Sequence, residues 1–306
     1  MDPRQSAHDG KAGFESRERT ATTGIEQIER DGMAIDSPEA ACEHMERFLF
    51  PALRREIAAF DEDARVRDIL AVERATQDLF GPDILKTGHE FIRFPTFAYD
   101  RYGYVAYFMA YGLYPEVIER HFALQADLAV KNNRAAVRAY REGGLPPMYR
   151  LDHDMADSRG MLVNVKSLDA LWLPHFARAL EPFEGSGVQL LWHCDGNLMD
   201  LVPRLVAAGI SGFQGFQYED GMDNEKICRM KDREGRGLLI VAGVSVTTTL
   251  PLGSPGDVRR EMKWLVDHGP RTGLFLGPSS SVTPGVPWEN LLAFFEGLAY
   301  YRTLPR

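Results

Sequence analysis

Apolar residues follow no sustained period over the first 36 positions, where Gly, Asp, Glu, Arg and Thr predominate, so residues 1–36 read as a flexible arm. Order is expected to begin at Ser37-Pro38-Glu39. Serine is a good N-cap, proline suits the first helical position, and an acid favours the first turn. Met45, Phe48 and Leu49 give this helix an apolar face, and Pro51 is expected to kink or end it. A second amphipathic stretch over 52–79 carries Leu53, Ile57, Phe60, Val66, Ile69, Leu70 and Val72. Residues 80–112 break the helical pattern. Glycines and prolines punctuate an aromatic run from Phe91 to Tyr111, and a strand is suspected within 84–97. The run reads as a core layer under long loops or as the aromatic wall of a pocket. Pro115 opens a long helix to Glu142, and Gly143-Gly144 stops it.

From residue 148 the period changes. Short, nearly continuous apolar runs (148–151, 188–192, 210–216, 238–246 and 272–276) alternate with helical stretches at 168–181, 198–208, 223–231 and 254–268, and a last helix opens at Pro287. Ser167 is read as the cap of the first of these helices. Strand–helix alternation of this kind builds a parallel sheet covered by helices, and strands buried on both faces read as unbroken apolar runs. No GxGxxG or GxxxxGK[ST] occurs, so neither a dinucleotide nor a P-loop fingerprint is present. The fold class expected is α/β, a single (β/α)8 TIM barrel with an N-terminal helical extension. Residues 37–306 then form one barrel domain that includes the extension.

Composition narrows the classes. The chain has 306 residues and a net charge of -9, with no basic cluster to track nucleic-acid phosphates. Its three cysteines, Cys42, Cys194 and Cys228, are far apart and supply neither a disulfide framework nor a four-cysteine zinc site. No apolar run approaches the roughly 20 residues of a membrane span. The expectation is a cytoplasmic protein acting on a small molecule, with no nucleic-acid or membrane partner. A homodimer is compatible with it.

In α/β barrels the active site lies at the C-terminal ends of the strands. Four of these ends are polar here: Asp152, His153 and Asp154; His193, Asp195 and Asn197; Gln217 and Glu219; Ser279, Ser280 and Ser281. Residues at i and i+2 on a strand share a face, so His193 pairs with Asp195 and Asp152 with Asp154, while Cys194 points away. His193, Asp195, Asp152 and Asp154 are the candidate catalytic groups. His153, Asn197, Gln217, Glu219, Ser279 and Ser280 are the candidate substrate contacts. His193, Asp195 and Glu219 are also acceptable ligands for zinc or another divalent metal. The bland alternative is that acids, amides and serines after strands only cap helices and form turns.

The HCDGN motif at 193–197, the segment LVPRLVAAGISGFQ, AGVSV, and the closing Pro284-Gly285-Val286-Pro287-Trp288-Glu289-Asn290 together resemble the uroporphyrinogen decarboxylase superfamily over about 75–302. That superfamily joins decarboxylases with methyltransferases acting on methyl-corrinoid proteins, all (β/α)8 barrels. The resemblance implies methyl transfer or demethylation of a small organic substrate, with a corrinoid or tetrahydrofolate as methyl acceptor and a corrinoid protein as partner. A decarboxylase releasing CO2 and a non-catalytic corrinoid- or partner-binding barrel are the alternatives. Two departures stand out. The arginine motif of the MRQAGRY type, which meets the tetrapyrrole's carboxylates in true decarboxylases, is missing. The methyltransferases hold zinc with a His-x-Cys pair and a later Cys; the His falls on His193, but the Cys positions fall on Asp195 and about Ser280. The aromatic run also suggests an uncharged or aromatic substrate.

Overall fold

The computed structural model describes residues 28–304, and these cluster into two compact units: 28–149 with 166–188, and 150–165 with 189–304. Residues 1–27 of the expected arm lie outside the described residues.

The first unit is helical. It opens with an antiparallel hairpin of β1 (Glu29–Arg30) and β2 (Met33–Ala34). Asp31 and Gly32 turn it with φ of 50° and 75°. Asp-Gly is a strong two-residue hairpin signal, so part of the sequence read as an arm is paired. Ser37 caps α1 (Pro38–His44), accepting from the Ala40 N–H at 3.1 Å. The chain then runs through a π-helical turn over Met45–Leu49 into α2 (Phe50–Ala58), so it does not end at Pro51. The wider turn accommodates a residue that has no N–H to donate. The stretch expected to be one helix over 52–79 is divided, because Asp61 caps a new helix, α3 (Glu62–Phe80), through the Ala64 N–H at 2.9 Å.

After α4 (Tyr99–Tyr102) and α5 (Tyr104–Leu113) comes α6 (Pro115–Gly143), closed by Gly144 at φ 61°. The unit ends with α7 (Val165–Leu171) and α8 (Leu173–Leu180). Ser167 lies inside α7 and does not cap it; its hydroxyl meets that of Tyr111 at 3.1 Å. The aromatic run is core: Phe91, Phe97, Tyr102, Tyr107 and Tyr111 are buried, and Phe97 contacts Tyr107, Phe108, Tyr111 and Phe122.

The strand suspected within 84–97 does not form. Side chains take the hydrogen bonds that a ladder would have used. The Tyr149 hydroxyl accepts from the N–H groups of Phe91 and Ile92. Asn132 donates to the Phe91 carbonyl at 2.7 Å. Asn133 accepts from the Arg93 N–H at 3.0 Å and donates to the carbonyls of Arg93 and Ala179, both at 2.8 Å. Gln125 accepts from the Thr96 N–H, and the Trp172 indole donates to the Pro95 carbonyl. Only an isolated bridge, Gly88 to Tyr149, remains of strand character.

The second unit carries the sheet. Its strands are β3 (Met148–Asp152, whose first two residues cluster with the helical unit), the small hairpin β4 (Ala156–Asp157) and β5 (Gly160–Met161), β6 (Gln189–His193), β7 (Gly212–Gly215), β8 (Leu239–Val244) and β9 (Leu274–Pro278). The helices are α9 (Val202–Ala207), α10 (Asn224–Arg229), α11 (Thr249–Leu252), α12 (Pro255–His268) and α13 (Trp288–Thr303). The sheet order is β3-β6-β7-β8-β9, with parallel pairing along β6-β7-β8-β9. All five strands read from the apolar runs are therefore present, in chain order. Among the described residues this sheet has five strands, and a closed eight-stranded barrel is not shown. The chain before β3 is spent on helices and on the side-chain-bound segment over 91–97. No helix among the described residues is long and apolar enough to cross a membrane.

Leaving buried backbone groups without partners costs about 1–3 kcal/mol each. Asn133→Ala is expected to destabilise the protein by at least about 2 kcal/mol in urea unfolding. An unchanged midpoint would show that the 91–97 segment does not depend on this side chain.

Candidate functional site

Parallel register sets the strand ends level: His193 lies beside Gln214, Gly215 beside Ala242, and Val244 beside Pro278. His193 is the last residue of β6 and is buried, 5% exposed. Its Nδ1 lies 3.3 Å from the Gln214 carbonyl oxygen. A carbonyl can only accept, so the imidazole carries its proton on Nδ1 in this contact. Nε2 then faces Asp195, 3.8 Å from Oδ1. That oxygen is buried and has no hydrogen-bond partner, while Oδ2 accepts from the Ser280 hydroxyl at 3.2 Å. Gly215 lies against the ring with φ of 111°, a backbone conformation that side chains rarely adopt.

The end of β3 joins the same place. The backbone N–H of His153 donates to the His193 carbonyl at 3.3 Å, and Asp154 Oδ1 accepts from the Asp195 N–H at 3.1 Å. Burial raises the Asp154 pKa, and the carboxylates of Asp195 and Asp152 add to the rise; the Asp195 N–H and His193 oppose it. Burial pushes the His153 imidazole down to about 4, which keeps it neutral at physiological pH. Asp152 is more exposed and is engaged by the Arg150 guanidinium, which also donates to the Gln214 side chain at 3.0 Å.

Several predicted contacts act on the backbone. Gln217 Oε1 accepts from the Gly196 N–H, tying the β7 end to the β6 loop. Gly196 has φ of 80°, and a Cβ there would sit 2.5 Å from the Asp157 carbonyl oxygen, so only glycine fits this approach. Asn197 Oδ1 accepts from the Met199 N–H at 3.1 Å, a turn-forming bond. Ser279 is fully buried, and its hydroxyl accepts from the Val246 N–H at 3.1 Å. Cys194 turns inward, where its sulfur accepts from the Met155 N–H and burial pushes the thiol up to about 12.

Glu219 stands in a separate cluster. Its Oε1 accepts from the hydroxyls of Ser245, at 2.7 Å, and Thr247. Among the described residues, no three His, Cys, Asp or Glu side chains are grouped to hold a metal ion. His193, Asp195 and Glu219, the ligand set expected from the sequence, are therefore not grouped as one, and Glu219 Oε1 is engaged by hydroxyls instead. The resemblance's three zinc positions do converge, but as an imidazole, a carboxylate and a neutral hydroxyl that bonds the carboxylate. Without thiolates this donor set does not fit a thiol-activating zinc.

Sequence reasoning missed Arg150, Gln214, Ser245 and Glu261. Gln214 is a polar residue inside an apolar strand. Glu261 sits three residues after Val258 and four before Leu265, both buried, which places it on the apolar side of α12. Its Oε1 accepts from the Ser245 N–H at 2.9 Å and from the Tyr218 hydroxyl, and its buried Oε2 has no partner. Burial raises its pKa from 4.5 to about 7, against the opposing Ser245 hydrogen bond.

A carboxyl whose folded pKa is raised stabilises fully below its unfolded pKa, and the contribution is lost as pH rises through the folded value. The melting temperature is therefore expected to fall between about pH 5 and about pH 8 through Glu261, and Glu261→Gln, which keeps the acceptor oxygen, should flatten that fall. An identical pH profile in the variant would exclude Glu261 as its source.

No protein-family model matches the chain, and no curated protein does. Among solved structures, the fold is similar to that of a methyltransferase from Methanosarcina mazei, at 18% identity and a TM-score of 0.55, over 78% of this chain and 65% of that one. The chain thus spans under two thirds of that protein's length. At this identity the likeness is one of fold: an α/β chain with a parallel sheet and covering helices, similar to that of a methyltransferase.

Proposed function

We propose that the protein is an enzyme of the uroporphyrinogen decarboxylase superfamily that transfers or removes a methyl group on a small organic substrate. In this reading the five strands belong to a (β/α)8-type barrel domain over 37–306, and the helical unit is its N-terminal extension. A corrinoid or tetrahydrofolate is proposed as the methyl acceptor, a co-substrate and not a resident group. The observation that carries the reading is the pairing of His193 Nε2 with the unpartnered Asp195 Oδ1, at the strand ends of a sheet whose fold a methyltransferase shares.

Each group then has a role set by its surroundings. His193 offers a basic nitrogen, and Asp195 an acceptor oxygen, to the same polar atom of a substrate. Ser280 fixes the other Asp195 oxygen and so its rotamer. Asp154 is the proton-handling carboxyl, because its raised pKa favours the protonated form that a departing heteroatom needs. Asp152, already engaged by Arg150, is a charge-balancing neighbour. Gln217 is a positioning residue acting through Gly196. No step is assigned to a metal, since the donor set does not fit the thiol-activating zinc that the resemblance implies.

The test is to incubate the protein with methylated alcohols, amines and aryl ethers, supplying cob(I)alamin or tetrahydrofolate and following the methylated acceptor. Turnover is expected in wild type, with a loss of about 100-fold or more in His193→Ala and in Asp195→Asn. Wild-type rates in both variants would remove the pair from the mechanism. Release of CO2 without acceptor methylation would replace methyl transfer by decarboxylation.

A further inference from the structure

Away from the strand ends, the sheet unit carries a half-open pocket of about 640 Å³ between the C-terminal parts of α12 and α13 and the beginning of β9. Its apolar side is built by Val266 of α12, Leu274 and Leu276 of β9, and Leu298 of α13. Leu274 and Leu276 are two apart on one strand and so share a face. The pocket is half-open to solvent, with Arg271 and Arg302 exposed and Leu274, Leu276 and Leu298 half-buried along it. It falls in the range of sites for small organic ligands, roughly 300–1,000 Å³.

The rim is cationic. Arg271 and Arg302 both line the cavity. Among the described residues neither side chain makes an ion pair or a hydrogen bond, in a chain where acidic residues outnumber basic ones by 44 to 35. Asp267 also lines the cavity, but its carboxylate is engaged by Lys263. The remaining polar wall is Tyr301, whose phenol is held protonated as burial raises its pKa. Two guanidinium groups without a partner among the described residues, beside an aliphatic wall, match one chemistry: a carboxylate on an apolar body. Arginine's planar fork suits a carboxylate, and the leucines suit the chain behind it.

We propose that this cavity binds a small organic carboxylate with an apolar body, Arg271 and Arg302 holding the anionic end. The site lies near the start of β9, whereas the His193–Asp195 cluster lies at strand ends, so the proposal does not rest on the proposed reaction.

Octanoate titrated into the full chain by calorimetry tests it. Saturable binding is expected, at least tenfold tighter than 1-octanol, which has the same body without the charge. The double substitution Arg271→Gln and Arg302→Gln should weaken octanoate at least tenfold, and Leu276→Trp, which fills the chamber, should abolish it. Unchanged circular dichroism and melting temperature would confirm that each variant folds. No saturation of wild type by about 10 mM octanoate, equal affinity for octanol, or undiminished binding in either folded variant would overturn the proposal.

Discussion

Parallel register along β6-β7-β8-β9 is the constraint on which the rest depends. It places the Gln214 carbonyl beside His193, so that a backbone acceptor fixes one face of the imidazole and leaves the other nitrogen facing Asp195. It also brings the loop after β9 close enough for Ser280 to hold Asp195, and the loop after β8 over Ser279. The site is therefore assembled largely by the ladder. Its loops are then tied to one another through backbone groups, as where Gln217 meets Gly196 and Asp154 meets Asp195.

The electrostatic consequence is a crowd of carboxyl groups balanced by few cations. Arg150 engages Asp152 and reaches Gln214, and the neighbouring carboxylates Asp195 and Asp152 help raise Asp154. Burial first, and then the like charges of Asp195 and Asp152, make Asp154 the acid of this group that holds its proton more readily. Two further acids lie in their own cluster around Ser245. Glu219 takes hydroxyl donors, and Glu261 takes a backbone N–H and a phenol. Among the described residues, His193, Asp195 and Glu219 are thus divided between two clusters.

The strands were legible because unbroken apolar runs ending in polar residues are a direct consequence of burial on both faces, and β3, β6, β7, β8 and β9 follow them. Capping chemistry located α12 equally well, since Ser254 and Asp257 form a reciprocal capping box. The 91–97 segment was not legible. Its hydrogen bonds come from Asn132, Asn133 and Gln125, which sit some 30 to 40 residues away, and no local pattern reveals such partners. Within the site, spacing indicated that His193 and Asp195 share a face, but not that Glu219 would be claimed by hydroxyls of another loop. Glu261 left a trace, an acid on the apolar side of a helix, which is a signal for a buried carboxyl.

The central point is that the Gln214 carbonyl fixes the protonated nitrogen of His193 and turns the basic one toward Asp195. Long-range proton–nitrogen NMR on histidine-labelled protein reads this directly. When the ring is neutral, His193 is expected as the Nδ1–H tautomer, with Nε2 showing the shift of an unprotonated nitrogen. An Nε2–H tautomer would contradict it, because the ring would then donate to Asp195 and present no basic nitrogen to a substrate.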